Sequence, residues 1–361
     1  MSYRFWTRFR CWLMVWLFWL PMLNICGPAV AQTVSNAPIL QGFAKSEVHM
    51  GVRFQISLYA ADEAVAEQAF AAGFAEIARL ERIFSDYQPA SETRQIDAAP
   101  CETKIPLSND MRRLLEMSRT LNRNSNGYFD VTLGKLTKLW RVARREKQPP
   151  SSEAIAFAAE RVGFDRLEVC TEYLLKRTPG VELDFGGIAK GDAADQVLRL
   201  LKDKLEITKV LIDASGDLVA GDPPPGQKGW VVGLSRPADD PGPMTRVYLA
   251  NRALASSGDS TQFLETDQAR WSHLIDPHTK TPILGQNLTL VWADDGATSD
   301  ALASALAICP PEQMPEIAAR FPTVAACVYR RRDLETPTEV LQTENWTSEI
   351  RKNQVEANQD E

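Results

Sequence analysis

The chain has 361 residues, 44% of them apolar, and a formal net charge of -7 at neutral pH. That is enough for one large or two medium domains with a real core, and it excludes a disordered chain. The acidic balance and the lack of a lysine or arginine stripe exclude a nucleic-acid binder, whose affinity rests on neutralising phosphates.

The first thirty residues read as an export signal. Arg4, Arg8 and Arg10 precede the apolar run CWLMVWLFWLPML, and Ala29 and Ala31 have the small-residue spacing of a cleavage site. Residues 1–31 are therefore expected to be removed and the protein to be exported, in a periplasmic or other extracytoplasmic compartment. Two anchored alternatives stay open. One is an uncleaved signal, against which the run is short for a bilayer and broken by Pro21; the other is lipidation of Cys26, against which Ile25 is bulky. After export Cys101, Cys170, Cys309 and Cys327 remain, without a CxxC pair, as structural thiols or one or two disulfides.

Beyond the signal the pattern mixes α and β. VRFQISLYA alternates as a strand, and ADEAVAEQAFAAGFAEIARLERIFS follows as a helix with Val65, Ala69, Ala72, Ile77 and Leu80 on its apolar face. A second helix, NDMRRLLEMSRTLNRNS, ends at Asn126 and Gly127. A third, SSEAIAFAAERVG, is capped by Ser151 or Ser152 and stopped at Gly163. RVARREK at 141–147 reads as a solvated helix end. Short strands then cluster between 165 and 260: RLEVC, YLLKR, VELDF, KVLIDAS, GWVVGLS and TRVYLA. Such clustering predicts an α+β fold rather than strict βαβ alternation. The polar stretch 333–361 reads as a loose C-terminal tail.

Four stretches carry chemistry. In ELDFGGIAKGDAAD (182–195) a strand ends at Asp184, Gly186 and Gly187 allow close backbone approach, and Lys190 enters a helix with Ala194, Val197, Leu198 and Leu201 on one face. A helix N-terminus with glycines and a lysine can hold a phosphate, although this is neither a Walker A loop nor a dinucleotide fingerprint; a plain turn with an exposed lysine is equally compatible with the stretch alone. In ADDGATSDALASALAI, Asp300 and Ser304 lie four apart on one helical face, a pair of hard oxygens suited to Mg²⁺, although an Asp near a helix start is also an ordinary dipole partner. WSHLIDPHTKTP presents His273 beside an Asp-Pro turn. NSNGYFDVT and FSDYQPASE are polar loops whose aromatic rings either stack on a planar ligand or simply pack.

Taken in order, MGVRFQISLY, FSDYQPASE, NGYFDVTLGKLTKLW, ELDFGGIAKGDAAD, ASGDLVAGDPPPGQKGWVVGL, SSGDS, SHLIDPHTKTP and ATSDALASAL resemble the ApbE-type flavin transferases over about 45–330. The resemblance implies an ApbE-like, T-fold-like α+β protein with two related sheet-and-helix modules. Such a protein binds FAD and Mg²⁺ and moves FMN onto a threonine or serine of an acceptor protein, here an exported, membrane-associated redox subunit, with release of AMP. It places Met50, Tyr87, Tyr128, Phe129, Asp130, Asp184, Lys190 and Ile275 around FAD, gives the metal to the Gly187 carbonyl with Asp300 and Ser304, and makes His273 the base. Water in place of the acceptor would make the same site an FAD pyrophosphatase, and a flavin carrier without turnover is a third reading. Three positions depart from the family pattern: Ser304 replaces Thr, Asp97 replaces Asn, and Lys280 stands where Gly is usual and where positive φ is expected. DDGAT, ending at Thr298, is faintly similar to the acceptor sequence itself, but Thr298 is expected to be pinned at a helix start.

Overall fold

The protein is described by a computed structural model over residues 39–237, 240, 243–259, 262–267, 269–332 and 336–355. The expected signal and Cys26 lie outside these residues. The alternating run forms β2 (Val52–Ala60), which pairs with β1 (Gln41–His49) through a tight turn at Met50 and Gly51, both left-handed. Phe54, Ile56, Leu58 and Ala60 of β2 face inward and are buried.

Helix α1 (Glu63–Phe84) covers that face, its N-terminus capped by Asp62, which accepts from the Val65 amide at 2.9 Å. Its buried stripe is Ala66, Ala69, Phe70, Gly73, Phe74, Ile77, Leu80 and Phe84, while Val65 is exposed. Ala69, Ile77 and Leu80 are buried as expected, and the face is centred slightly away from Val65 because the sheet sets the rotation. At Gly73 a Cβ would come within 2.7 Å of Ile56 Cδ1, so the helix lies too close to β2 for any other face to turn inward.

Helix α2 (Gly134–Glu146) follows the helix Asn109–Asn124, and α3 (Ala189–Leu205) buries Ala194, Val197 and Leu201 as expected. The main sheet continues with β3 (Val210–Ala214), β4 (Asp217–Ala220), β5 (Arg252–Gly258) and β6 (Gln286–Ala293). Helix α4 (Gly296–Ile308) then leads into β7 (Ala325–Arg331) and β8 (Glu339–Gln342). These eight strands form one sheet in the order β1-β2-β3-β4-β5-β6-β7-β8, every neighbouring pair antiparallel. Each quartet is a pair of strands, then helices, then a second pair, so the two expected sheet-and-helix modules are fused edge to edge at β4 and β5. Helices α1, α3 and α4 pack together on one face of this sheet.

Several expectations are corrected. VELDF does not join a ladder. Val181, Leu183 and Phe185 are buried in alternation, but the backbone bonds elsewhere: the Leu183 amide donates to Asp97 Oδ1 (2.9 Å) and the Asp184 amide to the Val131 carbonyl (2.8 Å). The loose tail is replaced, over 336–355, by β8 and the helix Trp346–Asn353. Trp346 is buried with Trp230, Leu254, Leu290 and Trp292 on the reverse face of the sheet, a face that needs an apolar cover and finds it there. RVARREK ends α2, yet its Arg141 points inward. Cys101, Cys170, Cys309 and Cys327 are all free thiols, so the disulfide alternative falls. Among the described residues no helix is long and apolar enough to cross a membrane.

Candidate functional site

The first turns of α3 and α4 touch at two glycines. A Cβ on Gly191 would lie 2.1 Å from the Gly296 carbonyl oxygen, and one on Gly296 would lie 2.5 Å from that of Gly191. No side chain fits between them. One helix also caps the other: Asp195 accepts from the Gly296 and Ala297 amides at 2.7 and 3.0 Å, and burial, aided by Asp295, pushes its carboxyl up to about 7. Two positive helix ends therefore meet in one corner.

Lys190 fills that corner. Its ammonium lies 3.0 Å from Asp217 Oδ2, 3.2 and 3.1 Å from the two oxygens of Asp300, and 3.1 Å from the Gly186 carbonyl. Burial opposes its charge, but Asp217 and Asp300 outweigh burial and hold the amine above its ordinary value. Asp217 is pushed up to about 7 by burial and then by the charge of Asp300. Asp300 and Asp217 are 4% and 3% exposed, so this is a buried cluster rather than the open metal ligand and exposed lysine that the sequence allows. With both carboxylates ionised, two negative charges share one positive one, and a net charge of minus one is left in a low-dielectric corner.

Gly187 lies against Ser304: a Cβ on the glycine would come within 3.1 Å of the serine Oγ and 3.7 Å of the Phe129 ring. The Gly191 amide, in the first turn of α3 where amides lack an intrahelical acceptor, donates to Asp300 Oδ2 at 3.2 Å. Asp300, Ser304 one turn further along α4, and Gly187 beside that serine thus offer a carboxylate, a hydroxyl and a backbone carbonyl in one region. All are hard oxygen donors and fit Mg²⁺, whose remaining positions water or a phosphate would complete. Among the described residues no group of three or more His, Cys, Asp or Glu side chains is placed to hold a metal, which leaves this mixed oxygen set as the candidate.

A second set of the expected residues gathers beside Arg141. Asp184 accepts from the Gly186 amide (2.8 Å) and from Arg141 (3.4 Å), and Arg141 also pairs with Asp86 and lies 4.5 Å over the Tyr87 ring. Asp86, Tyr87, Pro89, Arg94, Lys138, Arg141 and Val142 line a cavity of about 360 Å³. Met50 sits in the β1–β2 turn at the same end of α1, since the neighbouring His49 lies 3.6 Å from Glu81. Tyr128 is buried, its ring 4.5 Å from that of His278. Asp130 turns back on Thr132, accepting from its amide (2.8 Å) and hydroxyl (2.7 Å), so it shapes the loop. The Ile275 side chain is packed with Leu136 and Trp140, which leaves only its backbone for a ligand.

His273 lies on the strand Arg270–Ile275. Burial, with help from Arg144, pushes its imidazole down to about 4, so it is neutral at pH 7. It bonds the Gln262 main chain, and its Nδ1 is sealed and without a partner. A ring that donates through Nε2 keeps an unshared pair on Nδ1, the state required of a base. Lys280 has φ +63, the left-handed conformation expected at this usually glycine position, and its amide donates to Asp276 O at 2.8 Å. Asp97 gains from being Asp rather than Asn: its carboxylate takes both Leu183 N and Lys138 Nζ (3.0 Å).

Sequence reasoning missed Asp217, Arg141 and Asp86. The signal for Asp217 was present in ASGDLVAGD. Ser215 and Gly216 are both left-handed, which marks a hairpin turn, and the carboxylate that follows enters a strand buried from its first residue.

Fold and site together define an α+β protein of two antiparallel modules with a charged corner where two helix N-termini meet. The chain belongs to the ApbE family, whose pattern matches residues 50–328. A relative from Klebsiella pneumoniae (strain 342) named FAD:protein FMN transferase is 28% identical over 307 residues, covering 82% of this chain and 86% of the relative. The crystal structure of Pseudomonas stutzeri flavinyl transferase ApbE in its apo form superposes with a TM-score of 0.76 at 26% identity, over 86% of this chain and 96% of that one. The ApbE protein of Thermotoga maritima has the same fold, with a TM-score of 0.75 at 23% identity over 85% of this chain and 99% of that chain.

Proposed function

We propose that this protein is a Mg²⁺-dependent FAD:protein FMN transferase, exported from the cytoplasm, that attaches FMN to a threonine or serine of an acceptor protein and releases AMP. The observation that carries the reading is the buried Lys190–Asp217–Asp300 cluster beside Gly187 and Ser304, two carboxyl groups to one ammonium at the crossing of two helix N-termini. Mg²⁺ bound there would neutralise charge on the pyrophosphate oxygens of FAD.

The chain's own residues do the rest. Asp300, Ser304 and the Gly187 carbonyl hold the metal, and Lys190 donates to a phosphate oxygen from the first turn of α3. Met50, Tyr87, Tyr128, Phe129, Asp130, Asp184 and the Ile275 backbone frame the rest of FAD. The acceptor hydroxyl attacks the FMN-side phosphorus, its proton passes to His273 Nδ1 as the side chains that seal this atom give way, and the bond to AMP breaks. Positioning dominates such a transfer, and Lys190, His273, Asp300 and Ser304 all sit on regular elements of the fold. A membrane-associated redox subunit is the kind of acceptor this export implies.

Incubation with FAD, Mg²⁺ and a candidate acceptor tests the reading through in-gel flavin fluorescence and AMP release. Protein-bound flavin with AMP is expected. Free FMN without labelled protein would make the enzyme a pyrophosphatase, and neither product would make it a carrier.

A further inference from the structure

We propose that Asp217 is a positioning residue for the metal, acting through Lys190: it keeps the ammonium from competing with the cation for Asp300. The inference rests on the metal assignment under Proposed function and goes beyond it. Asp217 begins β4, where the two sheet modules join, opposite Ala255 of β5. Lys190, Asp217 and Asp300 come from a helix, a strand and a second helix, and the Gly191–Gly296 contact fixes the two helices against each other.

The ammonium has three donors and meets three acceptor groups: Asp217 at 3.0 Å, Asp300 at 3.1 Å and the Gly186 carbonyl at 3.1 Å. A metal on Asp300 must take over that carboxylate. With Asp217 in place Lys190 keeps a carboxylate and a carbonyl, and one N–H turns free for a phosphate oxygen. The second carboxyl group, when ionised, also favours the incoming cation. Without the Asp217 charge, Lys190 and Asp300 form a neutral pair, and the metal must displace an ammonium from its only carboxylate partner.

Calorimetric titration of the whole protein with Mg²⁺, with and without FAD, tests this apart from turnover. Asp217→Asn keeps the side-chain shape and should weaken Mg²⁺ binding about tenfold or more. Lys190→Gln should bind Mg²⁺ at least as tightly as the parent, and in the Asp217→Asn background it should restore most of the lost affinity. A purely structural role for Asp217 would not be rescued by removing Lys190. Equal Mg²⁺ affinity in the parent and Asp217→Asn, a double variant as weak as Asp217→Asn, or Lys190→Gln weaker than the parent would each overturn the inference. A parent that binds no Mg²⁺ would overturn the metal assignment and this inference together.

Discussion

Gly191→Ala should damage both stability and chemistry, because the crossing of α3 and α4 leaves no room for a methyl group. The new Cβ would sit 2.1 Å from the Gly296 oxygen and 2.4 Å from its carbon, both backbone atoms that no rotamer change can move. Ordinary contact begins near 3.4 Å, so the helices must part by about 1.3 Å. Overpacking of this kind costs about 3 kcal/mol at the upper end of its range. At roughly 2–4 °C per kcal/mol for a chain of this class, Tm should fall by about 6–12 °C. The same displacement separates Lys190 from Asp300, and a misplacement of about 1 Å at a reacting centre costs on the order of 10²-fold in rate. Thermal unfolding by circular dichroism and FMN transfer are read side by side. Gly226→Ala is the control: unlike the helical Gly191 it is left-handed (φ +73), but a Cβ there would meet nothing within 4 Å, so only backbone strain of about 1 kcal/mol is expected. A Gly191→Ala protein that melts and turns over like Gly226→Ala would refute the reasoning.

Asp300→Ala should abolish most Mg²⁺-dependent transfer while the protein stays folded, since Lys190 retains Asp217; unchanged Mg²⁺ dependence would remove Asp300 from the site. His273→Ala should keep FAD binding, measured by fluorescence quenching, and lose transfer by roughly 10²–10⁴-fold. Because the folded His273 titrates near 4 and the free side chain near 6.5, its neutral burial favours folding above pH 6.5 and is lost as pH falls from 6.5 to 4. That loss amounts to about 3 kcal/mol, so urea midpoints of the parent and His273→Gln should differ in slope over this window and run parallel above it. Trp346→Ala should cost about 3–5 kcal/mol in the same assay, because the ring is 5% exposed in the second core; a change below 1 kcal/mol would restore the loose tail. Thr298 should not be flavinylated: its hydroxyl donates to Asp295 Oδ2 at 2.9 Å, and intact mass after incubation with FAD and Mg²⁺ should show no added FMN.

The sequence by itself determined what lies within one element or one turn. Period-two and period-3.6 patterns were enough for β2 and α3, a side-chain cap for the start of the helix at 152–159, and i, i+4 spacing for Asp300 with Ser304. The order of eight short motifs was enough for the family. Tertiary structure decided what depends on partners distant in the chain. VELDF had strand periodicity but found its hydrogen bonds on Asp97 and Val131, and the polar tail became structure because Trp346 met the bare face of the sheet. Asp217 was invisible as a site residue for the same reason. An aspartate after a hairpin turn is ordinary until a lysine 27 positions earlier and an aspartate 83 positions later arrive beside it, and only the packing of α3 and α4 on the sheet brings them there.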